Sequence, residues 1–344
     1  MPSIQPEAAS SPKVAIVVPV CNVAGYLREC LDSLLSQSYE NFTVFAVDDG
    51  STDGSGRILD EYAAADARIV PIHQANAGQG AARNSALGRI EALGGYEYVA
   101  FADSDDRVRE DFVAGLVGAA RRTGADITVC AYTRFDDSGA RLYGRLSEER
   151  VLDREAYFEF VVAAGARPEF RGISGTGGWV WNKLFSARTL EGVRFVTDRD
   201  VVEDEIFCVQ AGERSRRNVY FPEPLYLYRQ RPGSDVRQSA FSRRLLAMRM
   251  KIVPLAFSPR TELVAVAALA VAAVNCLSRY GRVPDADLRS FRLKAEATFR
   301  GGHLSRHALR RFILMCDHPL LSRLYMAQRH FFSSLRFWGK KERS

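Results

Sequence analysis

The sequence predicts an α/β protein, with a doubly wound, mostly parallel sheet followed by a helical C-terminal region. Three observations predict it. Short β-branched runs alternate with amphipathic helical segments from residue 13 to about 132, the pattern of successive βαβ units. Acidic clusters stand where two of those runs end, at Asp48-Asp49 and at Asp103-Ser104-Asp105-Asp106, and in an open parallel sheet ligands bind at strand carboxyl ends. Beyond residue 240 the apolar spacing is helical throughout.

Taken in order, residues 13–20 (KVAIVVPV) read as a fully buried strand. Residues 26–37 put Leu27, Cys30, Leu31, Leu34 and Leu35 on one helical face. A second buried strand follows at 42–48 (FTVFAVD). Asp49-Gly50-Ser51-Thr52-Asp53-Gly54 is turn chemistry, with Asp53 suited to cap a helix running to about 65. A third strand is expected at 68–73, then a Gly-rich turn at Asn76–Gly80 and a helix through 92. The fourth strand is 96–102 (YEYVAFA), followed by helix 110–122 and strand 126–132. After about 135 the alternation breaks, and residues up to 235 read as irregular apart from an extended run at 217–229 and a helix opening near residue 204. Helices are expected at 241–253, 261–279, 286–299, 304–316 and 319–338. The expected organisation is a flexible lead at 1–12 with no secretory leader, an α/β domain at 13–238 and a helical region at 239–344.

Composition narrows the function. With 344 residues, 47% of them hydrophobic, the chain can bury a substantial core, which excludes general disorder. Its formal charge of +6 is unevenly spread, because residues 300–344 carry +8 and the rest carries −2. That split argues against general nucleic-acid binding and points to one basic surface. Four of five histidines lie in the tail (His303, His307, His318, His330), leaving His73 alone in the body. A His-based triad or multi-His metal site in the body is therefore excluded. Six cysteines (Cys21, Cys30, Cys130, Cys208, Cys276, Cys316) form no CxxC pair and read as reduced thiols of a cytoplasmic protein. The uncharged run at 263–278 falls short of the roughly 20 residues that cross a bilayer and reads as a core helix.

D-x-D spacing occurs at Asp103–Asp105, Asp198–Asp200 and Asp285–Asp287, but only the first follows a buried strand. Carboxylates crowded at such a place call for a cation, and with no His or Cys beside them they select hard Mg²⁺ or Mn²⁺, bound partly through substrate phosphates. Asp48 and Asp49 end another strand, where a carboxylate can accept from a nucleobase imide or a ribose hydroxyl. A third acidic group, Glu203-Asp204-Glu205, opens a helix.

These segments, VAIVVPVCN (14–22), VDDGSTDGS (47–55), NAGQGAARN (76–84), FADSDD (101–106), VWNKLF (180–185) and VEDEIF (202–207), together resemble the family 2 glycosyltransferases of the GT-A fold. The resemblance implies an inverting transferase, a nucleotide-sugar donor (usually a UDP-sugar) and one Mn²⁺ or Mg²⁺. By the same resemblance, Pro19, Val20 and Asn22 would line the nucleotide. Asp49 would accept from the uracil imide, Asn76 and Arg83 would frame the base, and Asp103 and Ser104 would sit near the ribose. Asp105 would hold the metal, and Asp204 would be the catalytic base, with Glu203 and Glu205 raising its pKa by like-charge repulsion. Trp181, Asn182, Lys183 and Glu203 would belong to a sugar or acceptor pocket, and Arg229 and Arg231 would reach the diphosphate. Cys21 replaces the aromatic residue that usually stacks on the base. No Q-x-x-R-W motif is present, which fits a non-processive enzyme.

The acceptor is expected to be a hydroxyl of a cell-surface glycan, a glycopolymer or a lipid-linked molecule. In the tail, Leu320, Leu324, Ala327, Phe331, Leu335 and Trp338 share one helical face and Arg329 and Arg336 lie opposite. Such a segment at 303–338 suits an anionic membrane surface, placing the protein peripherally on the inner face of the cytoplasmic membrane. Core packing or a homo-oligomer contact stays open. Two other readings of the acidic strand ends also stay open: a sugar nucleotidyltransferase and a non-catalytic nucleotide-sugar-binding module.

Overall fold

The computed structural model describes residues 11–136, 139–143, 146–163, 177–199, 201–231 and scattered positions between 248 and 268. The expected boundary near residue 238, most of the helical region and the basic tail lie outside the described residues. Among the described residues, no helix is long and apolar enough to cross a membrane.

The first half follows the alternation. Strands β1 (Val14–Val20), β2 (Phe42–Asp49), β3 (Ile69–Gln74) and β4 (Tyr98–Phe101) are separated by α1 (Ala24–Leu35), α2 (Ser55–Ala65) and α3 (Gln79–Leu93). Then come β5 (Arg107–Val108), α4 (Phe112–Thr123) and β6 (Ile127–Asp136). All seven residues of β1 are buried, as befits a β-branched run covered on both faces. Alternate side chains divide the core. Val17, Phe45, Val47 and Phe101 pack beside Ala82, Ala86 and Ile90 of α3. Ile16, Val18, Val44 and Ala46 pack beside Leu27 and Leu31 of α1, Ile58 of α2 and Phe112 of α4.

The stretch expected to be irregular holds ordered elements, β7 (Gly139–Tyr143), β8 (Arg150–Leu152), α5 (Arg154–Ala163) and β9 (Lys183–Ser186), while the helix expected near residue 204 is α6 (Glu203–Arg214) and the extended run is β10 (Asn218–Arg229). The strand order is β3-β2-β1-β4-β9-β6-β10-β5, with β7 beside β6 and β8 beside β10. β1 runs parallel to β2 and β4, and β6 parallel to β10. β9 lies antiparallel between β4 and β6, so the sheet is mixed at its centre. β10 is bulged around Pro224, where a ring nitrogen cannot donate to the ladder.

β1 lies between β2 and β4, so the strand order reverses beside it, and in open parallel sheets such a switch point leaves a ligand crevice at the strand carboxyl ends. Phe101, the last residue of β4, packs edge-on against Phe195 and Phe207, each with ring centroids 5.5 Å away. This contact seats the first turn of α6 beside the end of β4. Two acidic segments 100 residues apart in sequence are thereby brought together.

Candidate active site

At the end of β1, Asn22 has a left-handed backbone (φ 52°). Its backbone N–H donates to Ser51 Oγ (3.1 Å) and its side-chain oxygen accepts from Thr52 N (2.8 Å). Asp53 accepts from Ala24 N (2.9 Å) and from Ser55 N (3.0 Å). It therefore serves the start of α1 as well as the turn that leads into α2. Pro19 and Val20 sit in the β1–β2 ladder opposite Val47 and Asp48.

Asp48 and Asp49 do different work because neighbouring strand side chains face opposite ways. Asp48 accepts from Ser51 N (3.0 Å) and faces His73 Nδ1 (3.2 Å), while His73 Nε2 faces Asp60 (2.8 Å). Asp60 first, and Asp48 with it, raises the His73 pKa above its ordinary value, against the opposing pull of burial. Asp49, 2% exposed, accepts from Gln74 Nε2 (2.7 Å), Ala77 N (2.8 Å) and Gly78 N (2.8 Å). It shapes the Gly-rich turn before α3. Asn76 in that turn donates to Asp49 O (2.8 Å) and Cys21 Sγ (3.3 Å) and accepts from Arg199 (2.5 Å). Gly50 (φ +70°) is required here, since a Cβ would stand 2.8 Å from Asn76 N. Cys21 is exposed, whereas Cys30, Cys130 and Cys208 are buried free thiols.

The D-x-D segment splits three ways. Asp103 accepts from Arg83 Nη2 (2.9 Å) and Gln79 Nε2 (3.2 Å). Burial, helped by Asp204 and Asp105 and opposed by Arg83, pushes its pKa up to about 7. Asp106 points inward and accepts from Tyr226 Oη (2.8 Å) and Arg229 N (2.7 Å). Burial, with Asp105 and Asp103 beside it, raises its pKa well above the ordinary value. Asp105 pairs with Arg231 Nε (2.5 Å). Ser104 is buried between them. Carboxylate oxygens are the kind of donor that hard divalent ions take. Asp103 and Asp105 offer oxygens only, and the described residues contain no group of three His, Cys, Asp or Glu that could hold a metal. An ion here would complete its shell with water and donor phosphates, as Mg²⁺ and Mn²⁺ commonly do.

Across the crevice, α6 begins with Glu203, Asp204 and Glu205, all buried. Arg83, 1% exposed, reaches Glu203 (3.1 Å) and Asp204 (2.5 Å) through Nη1 while holding Asp103. Burial pulls its pKa down, but Asp204, Asp103 and Glu203 more than offset this and leave it raised. Glu205 pairs with Arg249. The like-charge crowding expected around Asp204 is thus compensated by two arginines. Arg83, expected at the base, is instead buried as the link between the two acidic segments.

Two further groups of expected site residues have their partners within the fold. Trp181 is 2% exposed and stacks between Tyr226 (4.4 Å) and Tyr228 (5.3 Å). Asn182 and Lys183 are fully buried: Asn182 donates to Cys130 O (3.1 Å), and Lys183 donates to Trp179 O and to Asn182 Oδ1 (2.9 Å). All three side chains are held in the interior of the described structure. Arg229 is likewise engaged: it donates to Asp105 O (2.7 Å), pairs with Glu29 and packs over Phe135 (4.5 Å). Sequence reasoning missed Gln79, Arg199, Tyr226 and Arg249. Of these, only Tyr226 carried a signal, as an inward position in the alternating run YLYR.

The model of the family "Glycosyl transferase family 2" matches residues 15–186. The chain is similar to Glycosyltransferase GlyA of Streptococcus pneumoniae, 38% identical over 226 residues that cover 64% of this chain and 31% of GlyA. It is also similar to Glycosyltransferase GlyG of the same organism, 32% identical over 235 residues covering 65% of this chain and 73% of GlyG. The chain thus spans under a third of GlyA and nearly three quarters of GlyG. Among solved structures, S. aureus TarS 1–349 in complex with UDP-GlcNAc has the same fold, with a TM-score of 0.63, 18% identity, and 83% of this chain and 81% of that one covered.

Proposed function

The chain belongs to glycosyl transferase family 2, and from that premise we propose that it moves a sugar from a UDP-sugar to a hydroxyl of a glycan or lipid-linked acceptor, with inversion. The observation that carries this reading is the Arg83 bridge between Asp103, on the donor side, and Asp204, at the head of α6. Two acids with different tasks need fixed places on either side of one reacting carbon.

In this reading the nucleotide lies over the ends of β1 and β2, against Pro19, Val20, Asn22, Cys21, Asp49 and Asn76. Asp49 has one acceptor site beyond its three backbone and side-chain donors, enough for one imide N–H. Asp103 and Ser104 stand toward the ribose. Asp105 would hold Mg²⁺ or Mn²⁺, and such an ion would offset charge gathering on the departing diphosphate. Asp204 takes the proton from the acceptor hydroxyl as the hydroxyl attacks the face opposite the diphosphate. Arg83 fixes the carboxylate orientation, and Glu203 beside it borders the sugar. His73 is too far committed to Asp48 and Asp60 to serve as the base.

A thermal-shift panel of UDP-, GDP- and dTDP-sugars, each with and without Mn²⁺, tests the donor and metal together. The expected result is a rise in melting temperature with a UDP-sugar that is larger with Mn²⁺. A response confined to GDP- or dTDP-sugars would contradict the donor reading, and equal shifts after EDTA would contradict the metal reading.

A further inference from the structure

We propose that Arg231 is a stand-in cation for Asp105, neutralising that carboxylate while no donor is bound and leaving it when a divalent ion and a nucleoside diphosphate arrive. The inference rests on the metal reading of Asp105 made above.

Each acid of the segment 103–106 has its own compensation, and the three differ in strength. Asp103 faces the buried Arg83. Asp106 is buried against Tyr226 Oη and Arg229 N. Among the described residues, the Asp105 carboxylate has one basic partner, Arg231, which reaches it through Nε alone (2.5 Å). A single contact lacks the bidentate fork that makes arginine–carboxylate pairs strong. The Arg231 side chain is also 33% exposed, so water and salt screen the pair. Its other contact among the described residues is the face of Tyr26 (5.5 Å), a ring that Arg229 also covers (5.1 Å).

Arg229 marks the contrast. It grips Asp105 through the backbone oxygen and is tied to Glu29 and Asp106. Arg229 thus holds the Asp105 main chain in place whether or not Arg231 leaves. The two arginines divide the labour: one positions the ligand residue, and the other occupies its side chain until a stronger cation displaces it. Once released, Arg231 remains beside the charge that a diphosphate brings.

The test is an EPR titration of Mn²⁺ into the full chain, with and without saturating UDP, for wild type, Arg231→Gln, Arg231→Lys and Arg107→Gln. Arg107 sits near Glu29 (3.9 Å), and its replacement removes the same charge without touching Asp105. Without UDP, Arg231→Gln is expected to bind Mn²⁺ about fivefold tighter, the scale of one partly exposed ion pair, and the gain shrinks as salt rises. Arg231→Lys and Arg107→Gln stay close to wild type. With UDP the gain disappears, because Arg231 has already left. Unchanged or weaker binding in Arg231→Gln, an equal gain in Arg107→Gln, or a gain that persists with UDP overturns the proposal while leaving the metal reading intact. Absence of Mn²⁺ binding in every protein, with or without UDP, overturns the metal reading and this inference with it.

Discussion

Arg83 Nη1 lies 2.5 Å from Asp204 Oδ1, in a place where the arginine is 1% exposed. The same guanidinium also serves Asp103 and Glu203. One buried cation therefore answers for three carboxylates drawn from the end of β4 and the start of α6.

Replacing that cation leaves the three acids uncompensated. Arg83→Met is expected to cost about 3–5 kcal/mol of stability, the range for breaking a buried pair from one side. The loss should be larger at pH 8 than at pH 5, because the stranded acids take up protons in the folded state and lose that relief as pH rises. Urea denaturation at the two pH values measures it. A loss below about 1 kcal/mol, independent of pH, would mean that Arg83 is not the cation that holds the acids.

His73 gives a second pH dependence of the opposite chemical kind. Its hydrogen bond to Asp60, and then Asp48, holds the folded pKa above the ordinary 6.5. The stabilisation is therefore complete below pH 6.5 and is lost as pH rises through the higher folded value. The melting temperature of wild type should fall relative to that of His73→Gln across this window. Parallel curves would show that the imidazole carries no linked proton.

Gly50 and Gly54 both have left-handed backbones, at φ +70° and +95°, yet only Gly50 faces a neighbour, with Asn76 N 2.8 Å from where a Cβ would stand. Gly54→Ala should show backbone strain alone, about 1–2 kcal/mol. Gly50→Ala should cost more and should also raise the KM for the donor, because the displaced turn carries Asn76 and the N–H groups that fix Asp49. Equal stability losses and an unchanged KM would separate this turn from donor binding.

What is legible in the sequence follows from range. β1 is readable because VAIVVPV is buried along its whole length, and Asp103–Asp105 stands out because a buried strand stops there. β7, β8 and β9 span three to five residues each, too short for a period to register. Lys183 and Asn182 read as pocket residues because nothing local reveals that the partner of Asn182 is Cys130 O, 52 positions away. The Arg83–Asp204 and Arg231–Asp105 pairs close over 121 and 126 positions. Each arginine stands out from its neighbours in sequence, but only the fold supplies its partner and so its task.

Asp204→Asn separates the proposed base from its surroundings. Asparagine keeps the shape and still accepts from Arg83, but it cannot take a proton. Sugar transfer is expected to fall by about 10²–10⁴-fold while UDP affinity, measured by calorimetry on the same preparation, stays at the wild-type value. Transfer at the wild-type rate by a variant that still binds UDP would contradict the assignment of Asp204 as the base.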